Sequence, residues 1–169
     1  LFRIRFHGRG GQGMKTASRI LGTALFIEGY EVQDAPRYGA ERRGAPIFAF
    51  VRADKKVINE RGVISNPGLV VVADDTLMPV PAAGVLEGLN EQSVLLINSH
   101  DSVEEWQHRL NTPATIVQLP ASEDVEDRAE LPYIGTYTAA AAAALLGVIM
   151  LESLQQAITE SLVISRRSS

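Results

Sequence analysis

The chain has 169 residues, 46% of them hydrophobic and 21% charged, with a formal net charge of −4 and no cysteine. That length suits one domain, 1–169, with a core large enough to need no staple. The missing cysteines exclude disulfides, a thiolate nucleophile and a cysteine-held iron–sulfur cluster, and the longest apolar run, Ala139–Leu151, is too short to span a bilayer.

Residues 2–7 read as a strand. Arg3 and Arg5 alternate with Phe2, Ile4 and Phe6, which leaves one face less buried. Gly8-Arg9-Gly10-Gly11-Gln12-Gly13 follows and opens a helix expected over 13–29. Ala17, Ile20, Leu21, Ala24 and Leu25 form its apolar stripe, and Gly29 stops it. A strand, a glycine turn and a helix in this order outline an anion cradle. Glycines let the backbone approach a ligand, and the helix start offers unpaired N–H groups. The same glycines also suit a tight turn with no ligand. Gly8, Gly10 and Gly13 fit the dinucleotide spacing G-x-G-x-x-G loosely, and Asp34 stands where a ribose-binding carboxylate is expected.

Charge is uneven along the chain. Residues 1–61 hold 12 Lys/Arg against 6 Asp/Glu, and residues 62–169 hold 4 against 14. Of the 16 cations 13 are arginine, the residue suited to two-pronged contact with phosphate or carboxylate. A solvated basic face explains the excess equally well. Nucleic acid ranks last, because no stacking aromatics interleave with these arginines.

Residues 31–35 read as a second strand. The charged segment Pro36–Pro46 reads as a long loop of the kind that carries function. Residues 47–52 and 56–59 are expected to pair as a β-hairpin across Asp54-Lys55, inserted into the α/β pattern. Leu69–Ala73 is a buried parallel-strand run ending at Asp74-Asp75, a pair that suits turn formation and helix capping. A short helix is expected at 85–89, strands at 93–98 and 115–119, and helices at 101–110, 136–146 and 151–162. Alternating strands and helices give an α/β, doubly wound, mainly parallel sheet with helices on both faces. Ligands of such sheets sit at the carboxyl ends of the strands, where Gly8–Gly13, Pro36–Pro46 and Asp74–Thr76 are expected.

No complete active site is legible. His7, His100 and His108 are scattered, with no metal spacing. His7 borders the glycine turn, where it meets a ligand or is satisfied within the fold. There is no G-x-S-x-G elbow and no phosphate-binding G-x-x-x-x-G-K-[ST] loop. No secretory leader is visible, and the cytoplasm is the expected compartment.

Gly8–Gly13 combined with Pro36-Arg37-Tyr38-Gly39-Ala40-Glu41-Arg42-Arg43-Gly44-Ala45-Pro46 resembles the gamma subunits of 2-oxoacid:ferredoxin (or flavodoxin) oxidoreductases, the pyruvate/2-ketoacid oxidoreductase family. Asn66-Pro67, Ile97-Asn98, Gly135-Thr136 and Leu151-Glu152-Ser153-Leu154 extend the resemblance over nearly the whole chain, whereas Ser165–Ser169 departs from the family's usual ending. The resemblance implies a complex that oxidatively decarboxylates a 2-oxoacid to an acyl-CoA and reduces ferredoxin or flavodoxin. It implies thiamine diphosphate, Mg and iron–sulfur clusters on alpha, beta and ferredoxin-like delta partners. This chain then helps to form a coenzyme A site and is not catalytic alone. Neither nucleic acid nor membrane is an expected partner, and the isolated chain, with its partner surfaces uncovered, is expected to form a homodimer. The expected contact residues are Gly8, Arg9, Gly10, Gly11, Gln12, Gly13, Arg42 and Arg43, with Arg19 as a further candidate that an ion-pairing role would also explain. A free-standing dinucleotide-binding oxidoreductase using Asp34 is the alternative.

Overall fold

A computed structural model describes residues 1–37, 44–121 and 132–168. Six strands make one sheet: β1 (Phe2–Arg9), β2 (Glu31–Arg37), β3 (Pro46–Asp54), β4 (Leu69–Val72), β5 (Val94–Ser99) and β6 (Thr115–Pro120). Their order across the sheet is β2-β3-β1-β4-β5-β6. β1, β4, β5 and β6 run parallel, and β3 is antiparallel to both β1 and β2. Four helices connect and cover them: α1 (Met14–Ile27), α2 (Val103–Arg109), α3 (Pro132–Leu146) and α4 (Leu151–Arg167). Among the described residues no helix is long and apolar enough to cross a membrane.

The hairpin is real but joins other strands than expected. β2 pairs with β3 from Glu31 opposite Asp54 to Arg37 opposite Phe48. Residues 56–59 form no strand, and residues 85–88 make turns rather than a helix. The segment read as one long loop is strand at both ends, through Arg37 and from Pro46. Residues 38–43 of it lie outside the described residues.

Period-2 alternation sends side chains to two faces. Ile4 and Phe6 of β1, Val51 and Ala53 of β3, Leu69 and Val71 of β4 and Leu96 of β5 face α1 and α3. Full burial of a side chain of this size is worth about 1.5–3 kcal/mol. Ala139, Ala142 and Ala143 keep α3 slim enough to lie close to α1, and α4 packs on both helices. Glu28, just past α1, caps α4 from outside: its Oε1 accepts from the Met150 N–H (2.9 Å) and the Ser153 hydroxyl. Val70, Val72, Leu95, Ile97 and Ile116 face the other way, toward Trp106 of α2 and the short 3-10 turns at Asp75–Leu77 and Pro81–Ala83. A capping box between Ser102 and Glu105 fixes the start of α2.

On this second face no α-helix among the described residues lies over β1 and β3. Residues 55–68 and 84–87 cross there as irregular backbone, whose carbonyls need donors. The polar face of β1 supplies them. Arg5, only 4% exposed, donates to the carbonyls of Ile64 (3.2 Å), Gly84 (3.3 Å), Val85 (3.1 Å) and Glu87 (2.8 Å), and to His7 Nε2 (3.2 Å). Arg52 donates to Gly62 O (2.9 Å) and shares the Glu60 carboxylate with Arg3. The less-buried face expected for β1 is therefore buried at Arg5 and His7, while Arg3 stays partly exposed. Burial holds His7 neutral and pushes its pKa down to about 3, assisted by the Arg5 charge and opposed by a hydrogen bond to Ala83.

Two outcomes follow from this cover. Arg5→Lys should destabilise the fold by at least about 2 kcal/mol in denaturant unfolding. One ammonium cannot reach carbonyls on separate segments, and each buried unpaired carbonyl costs roughly 1–3 kcal/mol. A loss below about 1 kcal/mol would contradict the account. The second outcome is acid sensitivity. The folded pKa of His7 lies below its unfolded value of about 6.5, so its contribution is complete above about pH 6.5 and declines as pH falls toward about 3. The slope is at most about 1.4 kcal/mol per pH unit. Between about pH 7 and about pH 5 the native protein should lose about 2 kcal/mol more than His7→Gln; equal losses would exclude His7 as the source.

Candidate functional site

The glycine turn begins where β1 leaves the sheet. A Cβ on Gly8 would lie 2.6 Å from Met14 Cγ, so glycine here allows Met14 to tuck beneath the turn. Gly11 (φ 91°) and Gly13 (φ 77°) occupy the left-handed region that favours glycine. Gly13 is the N-cap of α1 and offers no side chain, leaving the first-turn N–H groups to other partners. Around Gly11 an added Cβ would meet nothing within 4 Å among the described residues, which leave the backbone bare there.

Three neighbouring segments fix the turn. The base of the β2–β3 hairpin pairs with it: Gly10 N–H donates to Ala45 O (2.8 Å), and Gly44 N–H donates to Gly10 O (3.2 Å). Gly135 of α3 lies against Gly13 so closely that a Cβ on Gly135 would come within 2.5 Å of Gly13 O. The end of β4 supplies Asp74. Gln12 bridges the two, its Oε1 accepting from the Arg9 N–H (2.7 Å) while its Nε2 donates to Asp74 Oδ2 (2.7 Å). Arg9 reaches the same carboxylate (Nε to Oδ2, 3.4 Å) and donates to Thr76 Oγ1 (Nη2, 3.0 Å) and Gly44 O (3.0 Å). Asp74 also accepts from the Thr76 N–H (3.0 Å) and hydroxyl, capping the 3-10 turn at Asp75–Leu77. Burial favours the protonated carboxyl, but the hydrogen bonds from Thr76 and Gln12 and the Arg9 charge outweigh it and hold Asp74 below the ordinary carboxylate range.

The described part of the expected site thus lies at the carboxyl edge of the parallel strands. Gly8–Gly13, the hairpin base and Asp74–Thr76 come together there. Arg9 and Gln12 direct their side chains to Asp74, Thr76 and Gly44. Arg42 and Arg43 lie outside the described residues, immediately before Gly44 in sequence. The sequence reading missed the roles of Gln12 as a brace, of Gly135 as a contact and of Thr76 as a joint. The Asp74-Asp75 pair at a strand end was the signal available. Asn98, at the end of β5, donates to Ala73 O (3.1 Å), and its Oδ1 is buried without a hydrogen-bond partner among the described residues.

The dinucleotide arrangement does not form. β3 lies between β1 and β2, so Asp34 is two strands away from the glycine turn. Asp34 sits on the outer edge beside α1. Loss of hydration there raises its pKa, against the pull of Ser18, Arg19 and Lys15. Arg19 lines the same hollow with Gly22, Thr23 and Phe26, beside Asp34 rather than the turn. His7 lies on the opposite face of the sheet from α1 and is buried and neutral. Among the described residues no group of His, Cys, Asp and Glu has metal-holding geometry. What this edge can do is hold an anion through backbone N–H groups and a helix start.

Residues 3–163 match the family model of pyruvate ferredoxin/flavodoxin oxidoreductase. The chain is 38% identical over 162 residues to the pyruvate/ketoisovalerate oxidoreductases common subunit gamma of Pyrococcus furiosus, covering 95% of this chain and 86% of the relative. It is 37% identical, with the same coverage, to pyruvate synthase subunit PorC of Methanocaldococcus jannaschii. The crystal structure of the pyruvate oxidoreductase subunit PORC of Thermotoga maritima superposes with a TM-score of 0.76 at 34% identity, over 94% of this chain and 84% of that one. The 2-oxoglutarate:ferredoxin oxidoreductase of Magnetococcus marinus, solved with 2-oxoglutarate, coenzyme A and succinyl-CoA, shares the fold over 97% of this chain and 27% of that one (TM-score 0.66, 14% identity). The chain belongs to the pyruvate ferredoxin/flavodoxin oxidoreductase family, as a gamma-type subunit.

Proposed function

We propose that this gamma subunit works in a cytoplasmic complex that oxidatively decarboxylates a 2-oxoacid to an acyl-CoA and passes the electrons to ferredoxin or flavodoxin. Identity of 35–40% over nearly the whole chain to gamma and PorC subunits carries the reading. Alpha, beta and ferredoxin-like delta subunits are its partners, and they hold the thiamine diphosphate, its Mg and the iron–sulfur clusters. The absence of cysteine from this chain agrees with clusters held elsewhere. Co-purification from the native host should recover subunits carrying thiamine diphosphate and clusters. A lone, fully active chain would contradict the assignment.

Within that complex this chain helps to hold coenzyme A. The glycine turn supports the reading: its bare backbone at Gly11 and the start of α1 suit a phosphate or pyrophosphate group. Gly8, Gly10, Gly11 and Gly13 shape the turn, and Arg9 and Gln12 brace it. Arg42 and Arg43, directly before the hairpin base that pairs with the turn, supply the charge.

A charged hydrogen bond to phosphate is worth about 1.5–3 kcal/mol. Arg42→Ala or Arg43→Ala should therefore weaken coenzyme A binding by roughly 10- to 150-fold, at 1.4 kcal/mol per decade. The Michaelis constant for coenzyme A should rise well out of proportion to any change in the decarboxylation half-reaction, which needs no coenzyme A. Size-exclusion chromatography separates this outcome from a loosened complex. An intact complex with an unchanged Michaelis constant in both variants would refute the arginine assignment.

A further inference from the structure

Arg9 and Gln12 are the polar side chains of the glycine turn, and both converge on one carboxylate. Asp74 Oδ2 accepts from Gln12 Nε2 at 2.7 Å and faces Arg9 Nε at 3.4 Å. Its other oxygen holds the Thr76 N–H, and the Thr76 hydroxyl in turn accepts from Arg9 Nη2 at 3.0 Å. Gln12 Oε1 closes the ring on the Arg9 N–H at 2.7 Å. The assembly ties the first turn of the chain to the end of β4 and, through Arg9 and Gly44 O, to the hairpin base.

A carboxylate beside an anion site would ordinarily repel the ligand. Here Arg9 offsets the charge of Asp74, so the pair is close to neutral as a ligand meets it. The Arg9 charge is thus committed to the scaffold. The ring also fixes the course of the backbone from Arg9 to Gly13, which contains two glycines in the left-handed region. Such a turn loses much conformational entropy on ordering. We propose that Asp74 is a positioning residue for the anion site: through Gln12 and Arg9 it holds the Gly10–Gly13 backbone in the shape that receives the phosphate groups of coenzyme A. The proposal rests on the coenzyme A reading above and adds a residue to it.

The hydrogen-bond polarity of the ring gives a rescue test in the assembled complex. Asp74→Asn sets an amide N–H₂ against Gln12 Nε2, donor against donor, or else gives up the Thr76 contacts. Gln12→Glu sets a carboxylate against Asp74. The double variant, Gln12→Glu with Asp74→Asn, restores a donor facing an acceptor and keeps the net charge. The Michaelis constant for coenzyme A should rise about tenfold in Asp74→Asn, corresponding to the loss of one or two such bonds, and more than kcat falls. It should return toward the native value in the double variant.

Hydrogen exchange at residues 9–14 of the full chain gives a second reading that does not need an assembled complex. Exchange should quicken in each single variant and slow again in the double. Gly11→Val tests the site itself, since it strains the turn and fills the open side. If Gly11→Val raises the Michaelis constant while Asp74→Asn leaves it unchanged, the positioning role fails alone. If neither variant changes it in an intact complex, the coenzyme A reading of the turn fails with it. A double variant no better than the singles in either measurement also overturns the role of Asp74.

Discussion

A buried guanidinium closes the part of this sheet, over β1, that no described α-helix covers. Arg5 stands in the middle of the polar face of β1 and bonds four backbone carbonyls from two crossing segments. Without it residues 55–68 and 84–87 would carry buried, unpaired carbonyls, and an irregular segment cannot satisfy these from its own N–H groups. His7 accepts from the same side chain and so must stay neutral. Arg52 and Arg3 extend the pattern through Glu60. The crossover from β3 to β4 is therefore tied down by side chains of the sheet itself.

That cover leaves the α1 side and the carboxyl edge for the glycine turn. α1 can begin directly after β1 because glycine takes the left-handed backbone at Gly11 and Gly13. α3 can come to rest on the turn because Gly135 has no Cβ and its buried inner positions are alanine. Close approach of this kind gives rigidity through geometry rather than through large apolar area. The remaining freedom, rotation of the turn away from the sheet, is what the Asp74 ring and the Gly44–Ala45 pairing remove.

Much of this was legible in the sequence. The glycine turn, the buried run Leu69–Val72 and the long helices follow from local rules: glycine punctuation, continuous apolar strands and a 3.6-residue stripe. The motif pair Gly8–Gly13 and Pro36–Pro46 also carried the family. Strand order was harder. β3 inserts between β1 and β2, and nothing in the period of Pro46–Asp54 says which strand it pairs with. The hairpin partner of β3 is accordingly not 56–59, where irregular backbone instead presents the Ile58 carbonyl to Gln33 and Arg61. Arg3 and Arg5 read as a less-buried face because their alternation with Phe2, Ile4 and Phe6 is the pattern of a strand with one polar face. Periodicity reports polarity, and a guanidinium surrounded by carbonyls is polar and buried at once.

The same point bears on the charge excess of the first 61 residues. Of the 12 cations there, Arg3, Arg5, Arg9, Arg52, Lys55 and Arg61 bond to this chain's own carbonyls or carboxylates. At least half of these cations thus serve the fold, and a net charge of +6 is no measure of what a ligand would meet. The case for Arg42 and Arg43 then rests on position. They directly precede Gly44, whose backbone pairs with Gly10 and whose carbonyl holds Arg9. On the proposed coenzyme A reading, backbone and arginines would have separate tasks: the turn would fix where a phosphate sits, and charge next to Gly44 in sequence would set how tightly it is held.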